Sequence, residues 1–160
     1  MAVEIYQGRT IINSYYNEIV CNADLLEIDF NAKLLELLQL PNLDSCSAIT
    51  LFGGTTLRLE TVVAMFETSL AKTLKTLSCF EIYFSPETLE QLLKFELTSL
   101  SLLGGYSTDD WNGVSYVYPT LEPEHIAILQ SHPRVGQLKH LSLLHQNLEL
   151  SNIKIGIWSF

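Results

Sequence analysis

Four histidines, His125, His132, His140 and His145, together with the adjacent carboxylates Asp109 and Asp110, are the residues of this chain best suited to acid–base or metal chemistry. Their spacing argues against it, because no HExxH-like run puts two ligands on one helical face, and histidines near helix starts and strand ends are ordinary surface residues. No metal site and no catalytic residue is expected. Cys79 and His140 could be drawn as nucleophile and base, yet Cys79 falls where the hydrophobic pattern wants a core residue, and a buried thiol is inert. The pairs Gly53-Gly54 and Gly104-Gly105 lack a following Lys-Ser/Thr and do not fit GxGxxG, so they are not phosphate loops. No cofactor is implied.

Any function must then come from a surface, and the elements that build one have to be found first. The chain has 160 residues, 48% hydrophobic and 17% charged, which is the make-up of one packed domain, taken as residues 1–160. A formal charge of -9, with nine scattered Lys and Arg, repels a phosphate backbone, so nucleic acid is not an expected partner. No stretch reaches 18 uninterrupted apolar residues, and the opening "MAVEIYQGRT" lacks the basic start and apolar run of a secretory signal. No membrane association is expected. Cys21, Cys46 and Cys79 are odd in number and lack CxxC spacing, which points to a reducing compartment and a cytoplasmic location.

The frame L-x-x-L-x-L recurs along the chain, in "ADLLEI" (23–28), "CSAITL" (46–51), "LKTLSC" (74–79), "LTSLSL" (97–102) and "LKHLSL" (138–143). The central residues Leu26, Ile49, Leu77, Leu100 and Leu141 are 23, 28, 23 and 41 residues apart, so a period of 20–29 residues holds until an insert near 107–120 lengthens the last step. Segments of helical periodicity alternate with these phrases: "AKLLELLQL", "LETVVAMFETSLAKTL", "SPETLEQLLKF" and "EPEHIAILQSH". Pro86 and Pro123 stand at first helical positions with acid in the first turn, and Pro41 and Pro133 follow helical runs. Leu34, Leu35, Leu37 and Leu38 form one apolar helix face. Towards the ends, "VEI" (3–5) reads as a preceding strand and "LSNIKIGIW" (150–158) as a closing strand, parallel or antiparallel, on an otherwise open edge.

Strand phrases of this form, alternating with helices, make residues 23–148 resemble the leucine-rich repeat family in its ribonuclease-inhibitor-like form. The resemblance implies an α/β fold, a short solenoid of about five repeats with end caps, its curved parallel sheet on the concave side and its helices on the convex side. Members of that family often carry Asn three residues after the last strand leucine. Here Asn31 is the one such residue, and Gly54, Ile82, Gly105 and Gln146 stand at the other places, the glycine pairs suggesting turns out of the strands. The family consists mostly of recognition scaffolds, which implies binding of another protein rather than catalysis.

Alternation along each strand sends the leucines to the core and the flanking residues to the opposite face. Three stripes follow. The first is Leu25, Ala48, Thr76, Ser99 and His140; the second is Glu27, Thr50, Ser78, Ser101 and Ser142; the third is Asp29, Phe52, Phe80, Leu103 and Leu144. The third is apolar where solvent is expected, and a row of such side chains makes a patch of roughly several hundred Å², the size that marks an interaction site. The insert brings Trp111, Tyr116 and Tyr118, either as a lid over the patch or as anchors for a partner. The expected protein-binding residues are Phe52, Phe80, Leu103, Leu144, Thr50, Ser78, Ser101, Trp111, Tyr116 and Tyr118. Self-association through the end strands is a further option. The alternatives are a small enzyme with its site beneath the insert, and a pathogen effector or adaptor acting on a host protein in the host cytoplasm.

Overall fold

The computed structural model describes residues 2–6, 9–13, 18–22, 29–41, 43–109, 111–146 and 158–159. In chain order they form β1 (Ala2–Tyr6), β2 (Arg9–Asn13), β3 (Glu18–Asn22), α1 (Phe30–Leu37), β4 (Ala48–Thr56), α2 (Leu59–Phe66), α3 (Leu70–Thr73), β5 (Thr76–Tyr83), α4 (Pro86–Leu92), β6 (Ser99–Leu103), β7 (Gly105–Asp109), β8 (Val114–Tyr118), α5 (Pro123–Ser131), β9 (His140–Ser142) and β10 (Trp158–Ser159). Eight strands make one sheet in the order β10-β9-β6-β5-β4-β3-β1-β2, while β7 and β8 pair separately as a hairpin. Every pairing in the large sheet is parallel except that of β1 with β2.

The repeated phrase sets the register. Ile49 pairs with Leu77, Leu77 with Leu100 and Leu100 with Leu141, so the leucine of each phrase lies beside that of the next. The entry to each strand is repeated as well. The Lys75 and Thr76 N–H groups both donate to the Ser47 carbonyl, those of Thr98 and Ser99 to Lys75, and those of Lys139 and His140 to Thr98, all at 2.8 to 3.1 Å. Such repetition gives three successive strand starts the same solution for their backbone donors.

Burial alternates as a half-covered sheet requires. Ile49 and Leu51 of β4, Leu77 and Cys79 of β5, and Leu100 and Leu102 of β6 are almost wholly buried, and they share one core with Leu34 and Leu37 of α1, Val62 and Met65 of α2, Leu89 and Leu92 of α4 and Leu129 of α5. Each such side chain contributes about 1.5–3 kcal/mol of burial. The helices pack in chain order, α1 on α2, α2 on α4 and α4 on α5, matching the strands. The α/β class with a parallel sheet is therefore as expected.

Four local expectations need correction. The strand placed at 23–28 lies outside the described residues, and the sheet position beside β4 is filled by Glu18–Asn22 instead: Ile19 pairs with Ile49 and Cys21 with Leu51, and both are buried. The alternating, β-branched "EIVC" serves a half-buried strand as well as any leucine phrase. Asp29 consequently leaves the sheet stripe and caps α1, accepting from the N–H groups of Asn31 and Ala32. On α1 itself, Leu35 is exposed while Leu34 and Leu37 are buried, since only one stripe of a short helix can meet the sheet. The long helical run over 59–74 is broken into α2 and α3, and the Thr68 hydroxyl bonds the Met65 carbonyl at the break. Of the closing segment, 150–157 lies outside the described residues; Trp158 and Ser159 pair parallel with Leu141 and Ser142. The N-terminal "VEI" is in β1, whose parallel neighbour is β3.

Candidate functional site

On the sheet face turned away from the helices, the register sets Phe52 beside Phe80 and Phe80 beside Leu103. The two phenyl rings stack with centroids 4.7 Å apart and planes 16° from parallel. All three side chains are half-buried. The second stripe comes together as Thr50, Ser78, Ser101 and Ser142, with Val20 at its head where Glu27 was expected; Ser142 is buried rather than open. Glu27 and Leu25 lie outside the described residues; in the backbone register it is Glu18 that pairs with Ala48. Beyond Ser142, where β9 ends, Leu144 is half-buried and its carbonyl accepts from the Gly104 N–H at 2.9 Å, and the chain then turns through His145 with φ 59°.

The apolar row ends at a bulge. Pairing of β4 with β5 shifts between Phe52 and Thr55, with Gly53 at φ 98°, Gly54 at φ 46° and Glu81 at φ 54°. Gly53-Gly54 thus permits a bulge within β4 rather than a turn out of it. Glu81 adopts the left-handed region without being glycine, at a cost of about 1–2 kcal/mol. Its carboxylate lies against Gly105, where a Cβ would collide with it, and a Cβ on Gly104 would strike the His145 carbonyl. The second glycine pair is therefore a site of close approach.

The insert is a β-hairpin spanning 105–118 rather than an irregular loop. Ser107 pairs with Tyr116, Gly105 with Tyr118 and Asp109 with Val114, which puts Tyr116, Tyr118 and Val114 on one face; Tyr106 and Val117 lie on the other. The strands are joined by the four-residue connection 110–113, in which Gly113 takes φ 65° and donates its N–H to the Asp109 carbonyl. Trp111 at the tip is 97% exposed and covers nothing. Tyr106, a residue that repeat reasoning passed over, stacks on His145 with centroids 4.8 Å apart. The remaining polar contacts are within the hairpin, Tyr106 Oη donating to Ser115 Oγ and Ser107 Oγ bonding Tyr118 Oη.

Beneath the surface, the helix N-termini carry a row of buried polar residues. Asn31 Nδ2 donates to the Thr56 carbonyl at 2.8 Å, and its Oδ1 accepts from the Arg58 N–H and the Thr61 hydroxyl. The Thr88 N–H donates to Ser85 Oγ at the start of α4. At α5 the His125 Nδ1 accepts from the Glu122 N–H, and Nε2 lies 2.7 Å from the Phe84 carbonyl. Gln146 closes the series, accepting from the Thr120 and Leu121 N–H groups and donating to the Leu102 carbonyl. Asn31 ties the start of α1 to the end of β4, His125 ties the start of α5 to Phe84 just past β5, and Gln146 ties Thr120 and Leu121 to the end of β6, whereas Thr88 bonds only within the start of α4.

His125 is thereby committed to structure, with both ring nitrogens occupied by backbone groups. Burial pushes the Cys79 thiol up to about 12, and burial, partly opposed by Lys33, does the same for Cys21, so neither is a nucleophile at neutral pH. Among the described residues no three His, Cys, Asp or Glu side chains gather as metal ligands, and no helix is long and apolar enough to cross a membrane. Comparison of the chain with protein-family models, curated proteins and solved structures finds no match to any of them.

Proposed function

We propose that the chain is a short leucine-rich-repeat-like solenoid that recognises another protein in the cytoplasm through the sheet face opposite its helices, with no chemistry of its own. The reading is supported by in-register leucine phrases, by consecutive packing of strands and helices, and by the identical backbone entry to three strands. The observation that carries the binding surface is the Phe52–Phe80 stack continued by Leu103 on the uncovered side of the sheet. Thr50, Ser78 and Ser101 flank it with small hydroxyls, and Trp111, Tyr116 and Tyr118 stand exposed on the neighbouring hairpin. Aromatic side chains of this kind supply most of the energy in protein interfaces, whereas the polar residues around them chiefly exclude water.

Replacing Phe52 and Phe80 together by Ser tests the proposal. Loss of partner capture with the melting temperature unchanged is the expected result, since each ring is worth about 2 kcal/mol or more as an interface anchor. Destabilisation of the free protein by several kcal/mol would mean that the rings are covered from within.

A further inference from the structure

Strand β8 is a sheet edge, with no strand on its outer side among the described residues. Its sole neighbour among the described residues is β7, so the N–H and C=O groups of alternate β8 residues point away from the hairpin. All five of its residues, "VSYVY", are exposed. Edges are normally blunted by Lys, by an internal Pro or by a bulge, and β8 has none of these. The segment is uncharged and rich in β-branched and aromatic residues, which suits it to take another strand.

The chain around this hairpin carries one sign of charge. Between Lys94 and Arg134 the sequence contains no Lys or Arg, while Asp109 and Asp110 belong to the hairpin segment itself and Glu122 and Glu124 follow it. Asp109 lies on the same hairpin face as Tyr116 and Tyr118. Tyrosine faces beside a carboxylate attract Arg and Lys by their quadrupole as well as by charge. A second copy would bring the same cation-free edge and a further charge of -9, so it is the less suitable occupant.

We propose that β8 receives an extended basic segment of another protein as an added strand, with Arg or Lys side chains laid over Tyr116 and Tyr118 and towards Asp109. This names the partner chemistry for a recognition scaffold and rests on that reading, but not on the Phe52–Phe80 stripe. The probe is a labelled peptide of roughly ten residues alternating Arg and Val, followed by fluorescence anisotropy with the intact chain. Two comparison peptides replace Arg by Glu, or methylate alternate backbone nitrogens to remove the donors of the paired edge. Both should bind at least about tenfold more weakly than the parent, whose affinity should fall as salt is raised from about 50 mM to about 500 mM.

Tyr116→Ser with Tyr118→Ser should lose the parent peptide, while Phe52→Ser with Phe80→Ser keeps it. Equal binding of the methylated peptide would show attraction without strand addition and overturn the proposal. So would equal binding of the Glu peptide, no binding of the Arg peptide, or loss of binding in the phenylalanine variant alone. A dimer in sedimentation equilibrium that the tyrosine changes abolish would make a second copy the occupant and equally overturn it. The peptide comparisons use the unaltered chain, so they decide the matter even if the tyrosine variant fails to fold.

Discussion

The imidazole of His125 joins its own helix start to a carbonyl 41 residues away in sequence: Nε2 sits 2.7 Å from the carbonyl oxygen of Phe84, and Nδ1 takes the N–H of Glu122. An acceptor role for Nδ1 requires the proton on Nε2, which is what the Phe84 carbonyl needs. The ring also meets Phe84 edge-on, with centroids 5.5 Å apart. A histidine that looked available for chemistry in the sequence is in this way a strut between the end of β5 and the start of α5.

His125→Phe keeps an aromatic ring, a somewhat larger one, and deletes both hydrogen bonds, leaving the Phe84 carbonyl without this partner and removing the His125 half of the capping box at the start of α5. The expected loss is about 2–4 kcal/mol. Urea unfolding followed by circular dichroism measures it, and an unchanged midpoint would mean that the two bonds contribute nothing.

Leu100 and Ser101 are neighbours on opposite faces of β6, the first fully buried and the second half-buried. Leu100→Asp should unfold the chain, because an unpaired carboxylate in the core costs an amount comparable with a whole stability of about 5–15 kcal/mol. Ser101→Asp should fold with a loss of about 1 kcal/mol or less. Folded Leu100→Asp protein, seen as a normal sigmoidal melt, would contradict the core described here.

The thiols of Cys79 and Cys21 predict a pH effect of known sign. Each has its folded-state value raised from 9.0 to about 12 by burial, so in alkali the unfolded chain releases these protons before the folded one does. Their contribution is complete below pH 9 and is lost between pH 9 and 12. Wild type should therefore lose stability over that window more steeply than Cys79→Ala, and native protein at pH 8 should resist a thiol-alkylating reagent until urea is added. Rapid alkylation of Cys79 in the folded protein would show that it is accessible.

The sequence alone determined the alternation of strand and helix, the core leucines and their register. A period-2 phrase with a buried leucine at its centre can be satisfied in one way when helices cover one side of a parallel sheet. It also determined that Phe52, Phe80 and Leu103 would stand in a row, since in-register strands carry equal positions side by side. The strand beside β4 lay beyond such reasoning: the leucine phrase pointed to 23–28, which lies outside the described residues, whereas the pairing with β4 is made by the short β-branched run Glu18–Asn22, and Asp29 caps α1. The insert was legible as an interruption of the period, but that it forms a hairpin, and whether Trp111 would cover the sheet or leave it open, depends on the direction in which β7 departs. That direction is decided by contacts distant in sequence, with Gly104 against His145, Gly105 against Glu81 and Gln146 bonding Leu102 and Thr120. Side chains whose partners lie 25 to 44 residues away, as those of Gln146 do, leave no local periodicity to read, so only the folded chain could assign them.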